Sequence, residues 1–136
     1  MPQAARLRTI IRAAILDIFG GAVGEVRDGI TMDDKEFGLL ADAALANIEA
    51  ALEAVDGDLD FELAAGGVLE IAFADDSKII VNRHAVAREI WVAARAGGFH
   101  FRWDGAAWRD TRDGSELMEK LSRLASEQAG EPIDLR

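Results

Sequence analysis

The chain has 136 residues, half of them apolar and only two of them proline, so one domain around a single core is expected and a disordered chain is excluded. It has no cysteine, which rules out disulfides, thiolate metal sites and cysteine nucleophiles and fits a reducing, cytoplasmic compartment. A net charge of −10 argues against a nucleic-acid footprint, and no run of about 18 uncharged apolar residues is present to span a membrane.

Residues 1–31 read differently from the rest. Leu7, Ile10, Ile11, Ala14, Ile15 and Ile18 recur at helical spacing among Arg6, Arg8 and Arg12, and Gly20, Gly21 and Gly24 then interrupt the pattern. The reading is a basic, amphipathic N-terminal extension outside the domain, which spans 32–136. From 33 to 55 the spacing predicts a long helix, with Phe37, Leu40, Ala44, Leu45, Ile48, Leu52 and Val55 as its apolar stripe. Asp33 or Asp34 is its expected N-cap and Gly57 its expected stop. Next, 58–63 alternates strictly: Leu59, Phe61 and Leu63 take one face of a strand, and Asp58, Asp60 and Glu62 the other.

Gly66 and Gly67 turn the chain into a strand with Leu69, Ile71 and Phe73 inward, and the turn at Asp75, Asp76 and Ser77 leads to another over 78–82. Over 89–95, Ile90, Val92 and Ala94 alternate with Trp91, Ala93 and Arg95. Phe99, Phe101 and Trp103 repeat the pattern, and a last strand is expected near Trp108. Asp113 with Glu116 suggests a capped helix start, Leu117, Leu121, Leu124 and Ala125 its buried face, and Gly130 with Pro132 its stop. Tight turns favour antiparallel pairing, and one-sided strands need cover on one face. The expected fold is α+β: a two-layer sandwich of about six antiparallel strands covered on one face by the N- and C-terminal helices.

Charge is concentrated in one place. Residues 33–62 hold ten acids and one base, Lys35, and so carry −9 of the chain's −10. Like charges this close repel, and a cation or a basic partner would relieve the cost. At about 100° per residue, Asp42, Glu49, Glu53 and Asp56 lie within about 60° on the helix flank, next to Asp58 and Asp60 of the strand. These six are the candidate metal ligands. A shallow row of carboxylates suits hard cations, bound weakly and with little discrimination among iron, calcium, magnesium and manganese. The same side chains, Glu49, Glu53, Asp58 and Asp60 above all, could instead meet a basic protein surface. No nucleophile elbow, His-Glu-x-x-His or phosphate-binding loop occurs, so a turnover enzyme is not expected and weak iron oxidation is the only chemistry entertained. His100 is expected on the open sheet face beside Arg102, and His84 in a connection, each as a surface histidine.

Several segments carry a family likeness: Gly66-Gly67-Val68-Leu69, Ser77-Lys78-Ile79-Ile80-Val81-Asn82-Arg83, Ile90-Trp91-Val92-Ala93-Ala94, Gly97-Gly98-Phe99-His100-Phe101 and Glu127-Gln128-Ala129-Gly130-Glu131. In this order, with the acidic helix ahead of them, the chain from Met32 to Arg136 resembles the frataxins, specifically the bacterial CyaY type. That resemblance implies an iron-binding protein of iron–sulfur cluster assembly, holding ferrous or ferric iron weakly on the acidic ridge. It implies docking on the cysteine desulfurase and on the scaffold protein, as iron donor, as regulator, or both, and a monomer in the absence of iron. It also assigns Asn82 and Trp91 to contact with the scaffold. The alternative is a metal-independent acidic adaptor on a basic partner. The chain departs from the family pattern at His84, Val86 and Glu89, and its ridge helix has Ala50 and Ala54 where acids are common.

Overall fold

In the computed structural model, which describes residues 32–136, the alternating segments form one antiparallel sheet whose spatial order is the chain order. The N-terminal extension lies outside the described residues. Helix α1 (Asp34–Ala54) leads into β1 (Leu59–Ala64), β2 (Val68–Phe73), β3 (Lys78–His84), β4 (Glu89–Ala94), β5 (Gly97–Trp103) and β6 (Trp108–Asp110), and α2 (Leu117–Ala129) follows. Each strand pairs only with its sequence neighbours, as short turns require. Both helices pack on the same face of the sheet. Phe37, Leu40, Ile48 and Leu52 of α1 and Leu117, Leu121 and Leu124 of α2 share one buried cluster with Leu69, Ile71, Ile79, Val81, Ile90, Val92 and Phe101. Full burial of each large apolar side chain contributes roughly 1.5–3 kcal/mol. The result is the α+β two-layer sandwich that the strand and helix patterns predict.

Local details differ from expectation in three places. Asp33 caps α1, its carboxylate accepting from the Glu36 N–H, but the helix stops at Val55 rather than at Gly57. Val55 turns extended, its N–H bonding the Leu52 carbonyl, and its branched side chain packs against the core. Asp113 does not cap α2; Glu116 does, accepting from the Met118 and Glu119 N–H groups, which leaves Asp113 to pair with Lys120. Gly130, at φ 72°, ends α2 in the left-handed conformation, as expected. Leu63 sits at the far end of edge strand β1 and is exposed, so only Leu59 and Phe61 of that strand reach the core.

Two of the family-like segments have structural roles. Gln128 is buried on α2; its amide donates to Ser77 Oγ (2.9 Å) and the Lys78 carbonyl (3.2 Å) and accepts from the Arg95 N–H (3.0 Å). It thereby ties the second helix to the start of β3 and the end of β4. Gly67 has φ +78°, and a Cβ there would come within 3.0 Å of Arg83 Nε. The bare backbone leaves the Arg83 side chain its place, from which it reaches Asp42 on α1.

Candidate functional site

The ridge is built where the end of α1 meets β1, and the structure divides its six candidate acids. Asp56, Asp58 and Asp60 are exposed, and Glu53 is half-buried, one residue before the helix end. None of the three exposed aspartates forms an ion pair among the described residues, whereas Asp34 pairs with Arg88, Glu70 with Lys78 and Asp75 with Arg95. Asp42 belongs with the paired group, since its carboxylate accepts from Arg83 Nη1. Glu49 departs furthest from the expected solvent edge, at 4% exposed. It stands four residues after Leu45 and three before Leu52, both buried, so it borders the packed side of the helix. Among the described residues no three Asp, Glu or His side chains converge as a cation site. The open part of the ridge is therefore Glu53, Asp56, Asp58 and Asp60.

The second cluster lies on the uncovered face of the sheet. The pairing register sets Trp91 of β4 between Asn82 of β3 and His100 of β5. Asn82 and Trp91 thus come together as expected, but the histidines are not isolated surface groups. The His84 ring stacks on one face of the indole (3.8 Å between centroids, 12° between planes) and His100 on the other (4.5 Å, 8°). His84 ends β3 and is no part of a connection; its Nδ1 accepts from the Ala87 N–H (3.2 Å), which requires that nitrogen to be unprotonated. Trp91 is half-buried and presents the edge of its ring.

Beneath the stack is Glu89, 5% exposed although it points to the uncovered face. One carboxylate oxygen accepts from Trp91 Nε1 (2.9 Å) and lies 3.4 Å from His100 Nδ1; the other accepts from Arg102 Nε (2.7 Å). A buried carboxylate is tolerated only with such partners. Glu89 locks the indole orientation, a role that composition and periodicity did not reveal. The hairpin turns carry the signal: once His84 opposes Glu89 and Ala94 opposes Gly97, His100 must stand beside Trp91. Val86, at the tip of the β3–β4 turn, is exposed next to this cluster. The two sites are thus an acidic edge where the end of α1 meets β1 and an aromatic centre at β3–β5 on the open face of the sheet.

Comparison with known proteins identifies the family of the chain. Residues 30–131 match the profile of the family described as the Frataxin-like domain. The iron–sulfur cluster assembly protein CyaY of Dechloromonas aromatica (strain RCB) is 79% identical over 105 residues, covering 77% of this chain and 100% of that protein. The protein of the same name from Paraburkholderia xenovorans (strain LB400) is 51% identical over 102 residues, covering 75% of this chain and 96% of its own. Among solved structures, the frataxin of Psychromonas ingrahamii superposes with a TM-score of 0.71 at 30% identity, over 77% of this chain and 99% of that one. Among the described residues no helix is long and apolar enough to cross a membrane.

Proposed function

This chain belongs to the frataxin-like family, and we propose that it serves iron–sulfur cluster assembly in the cytoplasm as a non-enzymatic binding protein. In this reading the open ridge of Glu53, Asp56, Asp58 and Asp60 meets the basic surface of the cysteine desulfurase and carries iron weakly. The Asn82–Trp91 face meets the scaffold protein. The observation that carries the proposal is the concentration of uncompensated charge. Asp56, Asp58 and Asp60 lie close together in sequence at one edge, exposed and in no ion pair among the described residues, whereas Asp34, Glu70 and Asp75 each hold an arginine or lysine. Such a concentration of like charge raises the association rate with a cationic partner by about tenfold or more at low salt.

The purely electrostatic adaptor is the second reading, favoured by the absence of three convergent ligands among the described residues. Carriage of iron is compatible with that geometry only if one or two carboxylates and water hold each ion, which makes for weak binding and easy release. Titrating anaerobic ferrous iron into isotope-labelled protein separates the two. Iron carriage requires amide shifts confined to residues 53–62 and their loss in the Glu53→Gln, Asp56→Asn, Asp58→Asn, Asp60→Asn variant. A spectrum unchanged at millimolar iron leaves the adaptor. On either reading the same variant should associate with the desulfurase at least about tenfold more slowly at low salt; an unchanged rate would remove the ridge from the account.

A further inference from the structure

The open face of the sheet is electrically graded across its strands. At the β1–β2 end it carries Asp60, Glu62 and Glu70 on neighbouring strands. At the β5–β6 end Arg102 and Arg109 stand directly opposite each other in the pairing register. Like charges facing across a strand pair destabilise it, and this chain is otherwise strongly acidic. The cations nearer the middle are spent: Lys78 holds Glu70 at 3.0 Å and Arg95 holds Asp75 at 2.7 Å. Arg102 differs, because its partner Glu89 is buried and takes only the Nε hydrogen. The two terminal amino groups of its guanidinium have no partner among the described residues, and the side chain is 69% exposed. Arg109, 47% exposed, is held among the described residues only by long contacts of 3.4 Å to Asp104 and to the Gly114 carbonyl.

Two guanidinium groups with open donor ends, side by side on a flat surface, match the fork geometry of a carboxylate. We infer that Arg102 and Arg109 form a binding site for a carboxylate of the docked protein, with Glu89 as the residue that positions Arg102. The site lies four strand spacings from β1, about 19 Å at the usual interstrand distance. With Trp91 between the acidic β1 edge, which is left to the desulfurase, and the cationic pair, the face accepts the scaffold protein in one orientation, with its acidic group over β5 and β6. A complementary charge at one end and a repelling one at the other fix the register of an interface and penalise the reversed pose. The inference rests on the reading that the Trp91 face docks on the scaffold protein, and the test keeps the two apart.

The scaffold protein is titrated into the full chain by calorimetry, with parent, Trp91→Ala, Arg102→Glu/Arg109→Glu and Arg102→Lys/Arg109→Lys proteins. The charge reversal is expected to lower affinity at least about tenfold, and the lysine pair, which keeps charge but loses the fork, to restore only part of it. Matching amide spectra of the free proteins confirm that each variant is folded. Glu89→Gln should move the Arg102 Nε–H signal toward that of a free arginine and weaken binding, while the Trp91 indole signal persists. If Trp91→Ala weakens binding and the charge reversal does not, the carboxylate site is wrong and the docking reading stands. If neither has an effect, the docking reading fails and takes the site with it.

Discussion

Replacing Lys120 by Met is expected to lower the unfolding free energy by about 3–5 kcal/mol, because it strands a buried charge. Lys120 on α2 and Asp110 on β6 are 8% and 2% exposed and 3.2 Å apart, and Lys120 also holds Asp113 at 2.7 Å. The ammonium group lies 4.8 Å from the centre of the Phe99 ring, so apolar packing closes one side. Burial is the largest influence on the Asp110 carboxyl and pushes its pKa up. Hydrogen bonds from the Arg112 N–H, Lys120 and the Asp113 N–H, with the Lys120 charge, outweigh it and hold the pKa below the usual carboxylate value. For Lys120, burial pushes down, while Asp113 and Asp110 pull up and win. The two partners therefore agree in sign.

A depressed carboxyl contributes stability that is present above its unfolded pKa, about 3.9 for Asp, and is lost as pH falls through the folded value. The raised Lys120 contributes below its unfolded pKa, about 10.4, and loses its contribution as pH rises through the folded one. The deficit of Lys120→Met should accordingly be largest near neutrality and shrink below about pH 4. Adding Asp110→Leu should recover much of the loss, since a well-packed apolar pair often replaces a buried ion pair without cost. Denaturant unfolding at neutral and acid pH checks both statements; a deficit under about 1 kcal/mol at pH 7 would mean that Lys120 behaves as a surface ion pair.

Trp91→Ala is expected to weaken scaffold binding by about 2–4 kcal/mol, or roughly 30-fold to 1,000-fold, as for the central aromatic residues that dominate protein interfaces. Three features make Trp91 such a residue: its position on the uncovered sheet face, its clamping between His84 and His100, and its hydrogen bond to Glu89. A side chain already fixed in place loses little entropy on docking. The same clamping means that the substitution also costs stability, about 1–2 kcal/mol from two lost ring contacts. Calorimetric titration beside a thermal melt separates the effects. A large loss of stability with unchanged affinity would make Trp91 a packing residue and remove it from the interface.

Much of the fold was legible because its strands are one-sided. Strict alternation in 58–63, 68–73 and 89–95 and tight turns between them allow few arrangements other than a meander with one apolar face. Helix α1 was equally plain from its stripe. The caps were less so: Val55 and Glu116 won over Gly57 and Asp113 because tertiary demands, a core position for Val55 and the Lys120 pair for Asp113, outweighed local preference.

The candidate site was legible in part: the cluster of acids and the pair Asn82 and Trp91 could be named, but not the burial and partners of each side chain. Helical angles place Glu49 with Glu53, yet one is buried and the other half-open, and nothing in the spacing tells that Arg83, forty-one residues on, takes Asp42. The His84–Trp91–His100 stack and the Glu89 anchor depend on strand register. That register follows from turn lengths, so these contacts were implicit in the chain although no motif announces them.

The central claim is that the chain docks through its acidic edge and the open face of its sheet, and one measurement addresses it directly. Isotope-labelled chain is mixed with the desulfurase–scaffold complex, and the contact surface is mapped by cross-saturation of its amides. The account predicts signals at residues 53–60 of the ridge and at Asn82, Trp91, His100 and Arg102 of the sheet, with the solvent-facing side of α2 silent. Contacts confined to α2, or none at concentrations where the complex itself is intact, would contradict it.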